Sequence, residues 1–445
     1  MSDLTAHYSN AGVIPLDILY KYVWNQSYWS LITLSDNPTL LIAFFLGILI
    51  ASFLLFIGYR TQLMTALCWI GLVSIQNRNP IIYQGGDDLL RMLLFWSFFL
   101  PLSVSKSSYR TNKKTTYVNN VASMAILCQI LFPFLFSGLF KSINEWWSEG
   151  TSVYYAVNLD QIARPLSKWL SHQYTLTVFL SRITYACELI VFPVFMLPFY
   201  REQIRVLIVC FLLLFNLGTV LMFMIGIFPL CFFAALALFI PTSVWNRFEI
   251  SQSGTKICGS LDNNDYSGKQ NFYHLEINWM KEFALGFVFT LIILWNIASL
   301  TPPVIKFPAI FARSMYALRL NQSWGMFAPT VFRQDGWLII KAQLIDGSVI
   351  DLNSPDLVLS FDKPSYVLDR FKNDRWRKFT EQLFVANHFL RFAYAKYLIE
   401  EWNCKVPEKN KKIANISIIY MEEITRPHNE KSGLERVTLY SSSKD

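Results

Sequence analysis

The 445-residue chain is 53% hydrophobic and only 16% charged, which is too apolar for an ordinary soluble protein. Its net charge of +8 fits cationic loops facing anionic lipid, and the sequence has no basic patch with base-stacking spacing, which argues against nucleic-acid binding. The seven cysteines form no Cys-x-x-Cys pair and the five histidines have no ligand spacing, so the sequence predicts no metal site.

Residues 1–36 are only moderately apolar and carry several tyrosines and tryptophans. Aromatic side chains of this kind favour the boundary between lipid and water. We therefore predict an interfacial segment over residues 1–36, with a turn at residues 12–15 and a short amphipathic helix after it.

Eight apolar runs follow, and most approach the roughly 20 residues that a helix needs to cross the hydrocarbon core. They occupy residues 38–58, 62–76, 88–104, 118–141, 175–199, 203–225, 227–243 and 281–300. The runs 62–76 and 227–243 are short, and the sequence leaves open whether they are tilted, re-entrant or buried. The pattern predicts a mainly α fold, a polytopic transmembrane helical bundle over residues 37–301.

Positive charges between the runs predict the side of the membrane on which each loop lies. The strongest cluster follows the third run and contains Lys106, Arg110, Lys113 and Lys114. We therefore place this loop in the cytoplasm. Counting outward from it puts everything after about residue 300 on the opposite face.

From about residue 302 to 445 the composition becomes that of a small soluble α+β domain. Residues 337–352 predict a hairpin, because Asp346-Gly347 suits a tight turn with positive φ. The further elements predicted here are a helical segment at 373–402 and strands at 413–423 and 435–440.

Lys141 stands at the end of the fourth apolar run, and aromatic and acidic residues follow it at once. A cation at the boundary of hydrocarbon and water is either a snorkelling anchor or a functional base whose neutral amine is favoured by apolar surroundings. Gly138, one turn earlier, would let another helix or a flat ligand approach closely. The residue alone leaves both interpretations open.

Asp87, Asp88 and Arg91 begin the third run, directly after two glycines. In the local interpretation the aspartates cap a helix N-terminus and Arg91 pairs back at i+3 or i+4. In the functional interpretation an arginine one turn into a membrane helix indicates a polar cavity.

Arg182 and Glu188 both lie inside the fifth run, about 9 Å apart along one helix, and they do not share a face. Each therefore needs a partner on another helix. Glu188 is either part of a functional site or half of a structural ion pair. Asn216 in the next run suits a polar contact between helices.

Ordered motifs along nearly the whole chain carry a resemblance to a known family. They are His7-Tyr-Ser-Asn-Ala-Gly-Val-Ile-Pro15, Asn77-Arg-Asn-Pro80, Gly85-Gly-Asp-Asp-Leu-Leu-Arg91, Gly138-Leu-Phe-Lys141 with Trp146, Ile225-Gly-Ile-Phe-Pro229, and Gln322-Ser-Trp-Gly-Met-Phe-Ala-Pro329. In this order they resemble a bacterial HTTM protein, from the membrane family that includes the vitamin K-dependent gamma-carboxylases.

The resemblance implies a protein of the bacterial inner membrane whose C-terminal domain is periplasmic or extracellular. In the carboxylases a lysine in a similar setting deprotonates vitamin K hydroquinone, and reaction with O2 produces the strong base that prepares a substrate glutamate for CO2. The resemblance implies Lys141 as the base, with Asp87 and Asp88 as catalytic partners. The residues implied to surround the reduced quinone are Arg91, Gly138, Trp146, Glu188 and Asn216.

Two departures from the family pattern fall in this set. Asp87 stands where the animal carboxylases carry a histidine, and Asn216 stands where many members carry one. We therefore keep two functional hypotheses. The first is a quinol- and O2-dependent carboxylase or epoxidase acting on a peptide or small molecule at the outer face. The alternative is a non-catalytic membrane protein that binds a lipid, a quinone or a partner protein, with Lys141 as an anchor.

Overall fold

The fold is seen in a computed structural model, which describes residues 2–102, 120–197, 201–241, 244–245, 278–300, 304–354, 356–385, 388–426 and 433–442. The cationic loop predicted to be cytoplasmic lies outside these residues. The described residues are mainly helical, with one small antiparallel sheet near the C-terminus.

The described part of the chain contains fifteen α-helices, numbered here in chain order. They are α1 (Ser2–Tyr8), α2 (Leu16–Ile18), α3 (Pro38–Phe56), α4 (Thr61–Arg78), α5 (Gly85–Ser97), α6 (Val121–Phe140), α7 (Ser152–Val157), α8 (Pro165–Ser171), α9 (Tyr174–Met196), α10 (Arg201–Met222), α11 (Phe228–Leu236), α12 (Trp279–Ala298), α13 (Ala309–Ala317), α14 (Asp374–Val385) and α15 (His388–Lys405).

Five of these helices, α3, α6, α9, α10 and α12, are long and apolar enough to cross a membrane. The other three runs of the predicted eight form α4, α5 and α11. Helix α5 has 13 residues and α11 has nine, so both are too short to span the hydrocarbon core alone. Helix α4 has 18 residues, but its buried positions include Gln76, Asn77 and Arg78, so its polar side chains face the protein interior.

Helix α6 is the centre of the bundle. In its apolar stretch 72% of the residues are buried, against 11% for α3, which lies at the periphery. Its phenylalanines contact four other helices: Phe134 packs on Phe215 and Phe232, and Phe132 packs on Phe192 and stacks on Phe289. Because lipid is as apolar as these side chains, close packing rather than release of water holds the helices together.

The sheet has four antiparallel strands in the order β2-β1-β3-β4. Their bounds are β1 (Gln334–Leu344), β2 (Val349–Asp351), β3 (Ile413–Ile424) and β4 (Gly433–Ser441). The predicted hairpin and the two later strands are confirmed, and Gly347 has φ +85° in the hairpin loop. The segment predicted to be helical at 373–402 forms two helices, α14 and α15.

The N-terminal segment packs against this C-terminal region. Val13, Ile14 and Leu19 are buried in the same hydrophobic cluster as Leu338 of β1 and Phe379 of α14. This packing places the two ends of the described chain in one core. It brings helix α1 beside the start of α14.

Candidate functional site

Lys141 is the residue that ends helix α6, and its extended backbone (φ −69°, ψ 139°) turns the chain away from the helix axis. Its side chain runs back along α6. The Nζ atom donates to Ser137 Oγ at 3.1 Å and to both carboxylate oxygens of Glu188 on helix α9. Lys141 is 7% exposed and Glu188 is 5% exposed, so the ion pair is shielded from solvent.

Gly138 makes this pairing possible. A Cβ atom at this position would lie 2.9 Å from Leu189 Cδ2 and 3.2 Å from Glu188 Cβ. Helices α6 and α9 are therefore in direct contact at Gly138, which confirms the prediction that this glycine allows a close approach. The contact places Glu188 beside Gly138, which lies one helical turn before Lys141 on α6. The Glu188 carboxylate is therefore within reach of the Lys141 amine.

Trp146 covers the lysine amine from the other side. Its ring belongs to the helical turn Asn144–Ser148, and the ring centroid lies 4.1 Å from Lys141 Nζ. Such a cation–π contact is strongest where water is excluded, and Trp146 is only 3% exposed. Its indole Nε1 has no hydrogen-bond partner among the described residues. A buried donor without a partner is uncommon in folded proteins.

Two residues near the pair were missed by the sequence analysis. Ser137 is four positions before Lys141, and that helical spacing is the signal that points to it. Glu145 is buried, and its Oε1 accepts a hydrogen bond from the Val331 backbone N at 3.0 Å. Glu145 therefore fixes the segment after α6 against the chain that leads into β1, a contact between residues 186 positions apart that no local pattern indicates.

Arg91 and Asp88 belong to a second polar cluster. They form an ion pair at spacing i+3, as the local interpretation predicted. Arg91 is fully buried, and it also donates to Gln76 and to the backbone oxygens of Arg319 and Asn321. The cluster connects helices α4 and α5 to the chain that follows α13.

Asp87 has two structural contacts. Its Oδ2 accepts from the Gln84 backbone N at 2.8 Å and so caps helix α5, which confirms the capping prediction. Both of its carboxylate oxygens accept from Arg375 at 2.6 Å. Asp87 therefore connects the membrane bundle to helix α14.

The structure thus separates the predicted residues into groups. Gly138, Trp146 and Glu188 surround Lys141, whereas its described contacts include none of the residues of the second cluster. Asn216 donates from Nδ2 to the Pro229 oxygen at 3.1 Å and connects α10 to α11, the polar helix contact that was predicted.

Arg182 also finds its partner off its own helix, as expected. Its guanidinium donates to the backbone oxygens of Trp147 at 2.9 Å and Ser148 at 3.1 Å. The same helix α9 therefore supplies Glu188 to the amine and holds the turn that carries Trp146. No group of three or more metal-ligating side chains occurs in the part of the chain that the structure describes.

These features define an integral membrane protein, a helical bundle with a mixed helix–sheet region attached and with a buried lysine–glutamate pair between two of its spans. The family model of the HTTM domain matches residues 7–245, more than half of the chain, so the protein belongs to the HTTM-domain family. No curated protein and no solved structure matches the chain significantly.

Proposed function

We propose that this HTTM-domain protein is a membrane enzyme of the carboxylase type, which uses a reduced vitamin K-type quinone, O2 and CO2 to modify a peptide or small molecule at the outer face of a bacterial inner membrane. The observation that carries the proposal is the buried amine of Lys141, paired with Glu188 and covered by Trp146. An ionisable group at this depth favours a functional role.

Burial of the lysine–glutamate pair supports a role for Lys141 as a base, because burial favours the uncharged forms of both side chains. A lysine acts as a base only when it is neutral. The carboxylate of Glu188 bonds to the amine directly and is placed to take its proton, which leaves a lone pair on Nζ. Ser137 Oγ, at 3.1 Å, holds the amine at the end of α6. Burial of both side chains keeps bulk water from competing for the proton.

The surroundings of the amine suit a flat aromatic ligand. The Trp146 ring lies against the amine and its indole N–H has no partner among the described residues, and this aromatic, polar setting supports the proposal of a quinol ligand. When bound, a reduced quinone supplies an acidic O–H and the reducing equivalents that O2 consumes. We assign Lys141 as the base that accepts the proton of this O–H group.

Catalytic roles for Asp87 and Asp88, and quinone contacts by Arg91 and Asn216, stay predictions. The partners of the two aspartates, Arg375 and Arg91, favour roles in positioning helix α5. In that case they act on the reaction only through the shape of the bundle.

The test is quinol-dependent incorporation of 14C-bicarbonate by full-length protein in lipid nanodiscs, with glutamate-containing peptides, alongside oxidation of the quinol. Loss of a general base typically costs a factor of about 10²–10⁴, so Lys141→Ala is expected to abolish both signals. Lys168→Ala is the matched control, because Lys168 also lies over an aromatic ring, 4.2 Å from Tyr366, but donates to a backbone oxygen.

One observation also favours the non-catalytic alternative, because the Lys141–Glu188 pair joins helices α6 and α9 and thus has a structural use. A structural cation needs only its positive charge, which arginine keeps. A base must first lose a proton, which the arginine side chain does not do in proteins. Quinol oxidation that is equal in Lys141→Arg and the unmodified protein would contradict the enzymatic proposal and leave a binding protein.

A further inference from the structure

The amine of Lys141 is closed off from solvent. Its side chain is 2% exposed, and the Nζ atom is in contact with Ser137, Glu188 and the ring of Trp146. A molecule that reacts with this amine therefore reaches it only after one of these three groups has moved.

Two of the three groups belong to long helices that touch each other. Ser137 is in α6 and Glu188 is in α9, and a Cβ atom added at Gly138 would lie 2.9 Å from a Leu189 side-chain carbon. Separating these helices would break close packing along two candidate membrane spans.

Trp146 belongs instead to a short turn at the surface. The turn Asn144–Ser148 has five residues, and Trp147, the neighbour of the buried Trp146, is 47% exposed. Short surface segments open at a lower free energy than packed helices. Movement of this turn is therefore the easiest way to uncover the amine.

The two ends of the turn are held differently. Near its start, Glu145 is buried and accepts a hydrogen bond from the Val331 backbone N at 3.0 Å. At its end, the exposed Arg182 of α9 donates from Nε to the Trp147 oxygen at 2.9 Å and from Nη2 to the Ser148 oxygen at 3.1 Å. Water competes for the hydrogen bonds of Arg182 but is kept from those of Glu145, so the end held by Arg182 is the one that opens.

Two further contacts join this end of the turn to α9. The Trp147 ring packs on Tyr185, with the centroids 6.5 Å apart. Gly150 follows the turn with φ +72°, and a Cβ atom there would lie 2.8 Å from Val178 Cγ1 and 3.5 Å from Arg182 Nε. Glycine allows this left-handed, close approach. The chain after Trp146 therefore lies directly against the helix that carries Arg182.

We propose that Arg182 is a positioning residue, which keeps Trp146 over the Lys141 amine, and that release of its two hydrogen bonds opens the site. The proposal deepens the function assigned to Lys141 and rests on that function for the reactant that enters. It adds a residue outside the ion pair that controls access to the amine.

Access to the amine is measured by the rate at which acetic anhydride acetylates Lys141. This reagent is small and uncharged, and it is applied briefly to full-length protein in nanodiscs. Mass spectrometry compares acetylation of Lys141 with that of Lys396, whose side chain is 63% exposed. No quinol is present, so the result does not depend on enzymatic activity.

Arg182→Ala is expected to raise the relative rate at Lys141 roughly three- to tenfold, the effect of a lost hydrogen bond. Trp146→Ala removes the cover itself and is expected to raise the rate further. In that background Arg182→Ala should add little, because the ring that Arg182 positions is gone. Arg313→Ala is the control, since Arg313 is an exposed arginine of α13, and it should leave the rate unchanged.

Low concentrations of urea separate opening of the turn from unfolding of the whole protein. Acetylation through a local opening is nearly independent of urea, whereas acetylation through global unfolding rises with urea because much more surface becomes exposed. Arg182→Ala is expected to show the first behaviour. If it does not fold, Arg182→Gln, which keeps one amide donor for the turn, carries the same test.

Three results would overturn the proposal. They are an unchanged rate at Lys141 when Arg182 is replaced, an equal increase with and without the Trp146 ring, and an increase that grows with urea. Failure of the enzymatic proposal looks different: faster acetylation in Arg182→Ala, with no quinol oxidation by the unmodified protein, would keep the role of Arg182 and contradict the enzyme.

Discussion

Arg375 donates to both carboxylate oxygens of Asp87, and each N–O distance is 2.6 Å. Asp87 lies in the first turn of α5, and Arg375 lies in the first turn of α14. Planar, two-point contacts of this kind fix orientation as well as distance. The pair therefore sets how the C-terminal region sits on the membrane bundle.

Replacing Asp87 by Asn removes the charge of this contact but keeps its size. The Arg375 side chain is 30% exposed, so solvent screens the pair, and we expect a loss of about 1–2 kcal/mol in the free energy of unfolding. The measurement is the apparent unfolding temperature of the purified protein in detergent. Lys396→Ala is the control, since its pair with Glu400 is long (3.9 Å) and exposed, and an equal shift in both variants would contradict the prediction.

The Lys141–Glu188 pair is expected to show strong energetic coupling. Removing either partner alone leaves a buried charge without its counterpart, which typically costs about 3–5 kcal/mol. Lys141→Met and Glu188→Gln should therefore each lower the unfolding temperature, whereas the double variant should lose less than the sum of the two. Additive losses in a double-mutant cycle would mean that the two side chains do not form this ion pair.

Gly138→Ala is expected to destabilise the bundle. Its methyl group would lie 2.9 Å from a Leu189 side-chain carbon, so helices α6 and α9 must move apart, at a cost of about 1–3 kcal/mol. Gly47→Ala in α3 is the matched control, because no atom lies within 4 Å of its added methyl group and alanine favours helix by up to about 1 kcal/mol. Opposite signs for the two shifts in unfolding temperature are the expected result, and a stabilising Gly138→Ala would contradict it.

Asp335 is expected to make stability depend on pH. Burial at the start of β1 raises the pKa of this carboxyl to about 7, and the Gln161 backbone N donates to it at 3.3 Å. In the unfolded chain its pKa is about 4. Between these values the unfolded state binds fewer protons than the folded state, so the free energy of unfolding falls as pH rises from about 4 to 7 and is level above that.

The contribution of Asp335 is at most about 4 kcal/mol, from a pKa difference of about 3. Asp335→Asn cannot ionise, and it is expected to flatten this part of the pH profile of the unfolding temperature. Asp369→Asn, in a short helical turn, serves as the comparison. An unchanged slope in Asp335→Asn would show that other groups cause the pH dependence.

Local patterns in the sequence predicted much of this protein. Each of the five helices long enough to cross a membrane lies within a predicted apolar run or begins at most two residues before it, and the hairpin at residues 337–352 follows from its Asp346-Gly347 turn. The capping role of Asp87 and the pairing of Asp88 with Arg91 were also predicted, because each depends on residues within one helical turn. The count of eight apolar segments overstated the spans found in the described residues, since apolar length alone does not separate a span from a shorter helix that packs inside the bundle.

Contacts between distant segments were decided by the tertiary structure. Lys141 meets Glu188, 47 positions away, only because Gly138 lets two helices touch, and Asp87 meets Arg375, 288 positions away, only because α14 packs over the bundle. Hydrophobic periodicity reports which face of a segment is buried, but it carries no information about which segment covers that face. The sequence therefore determined a membrane protein with a lysine at the end of a helix, and the packing of its helices decided that this lysine is an inward-facing, paired amine.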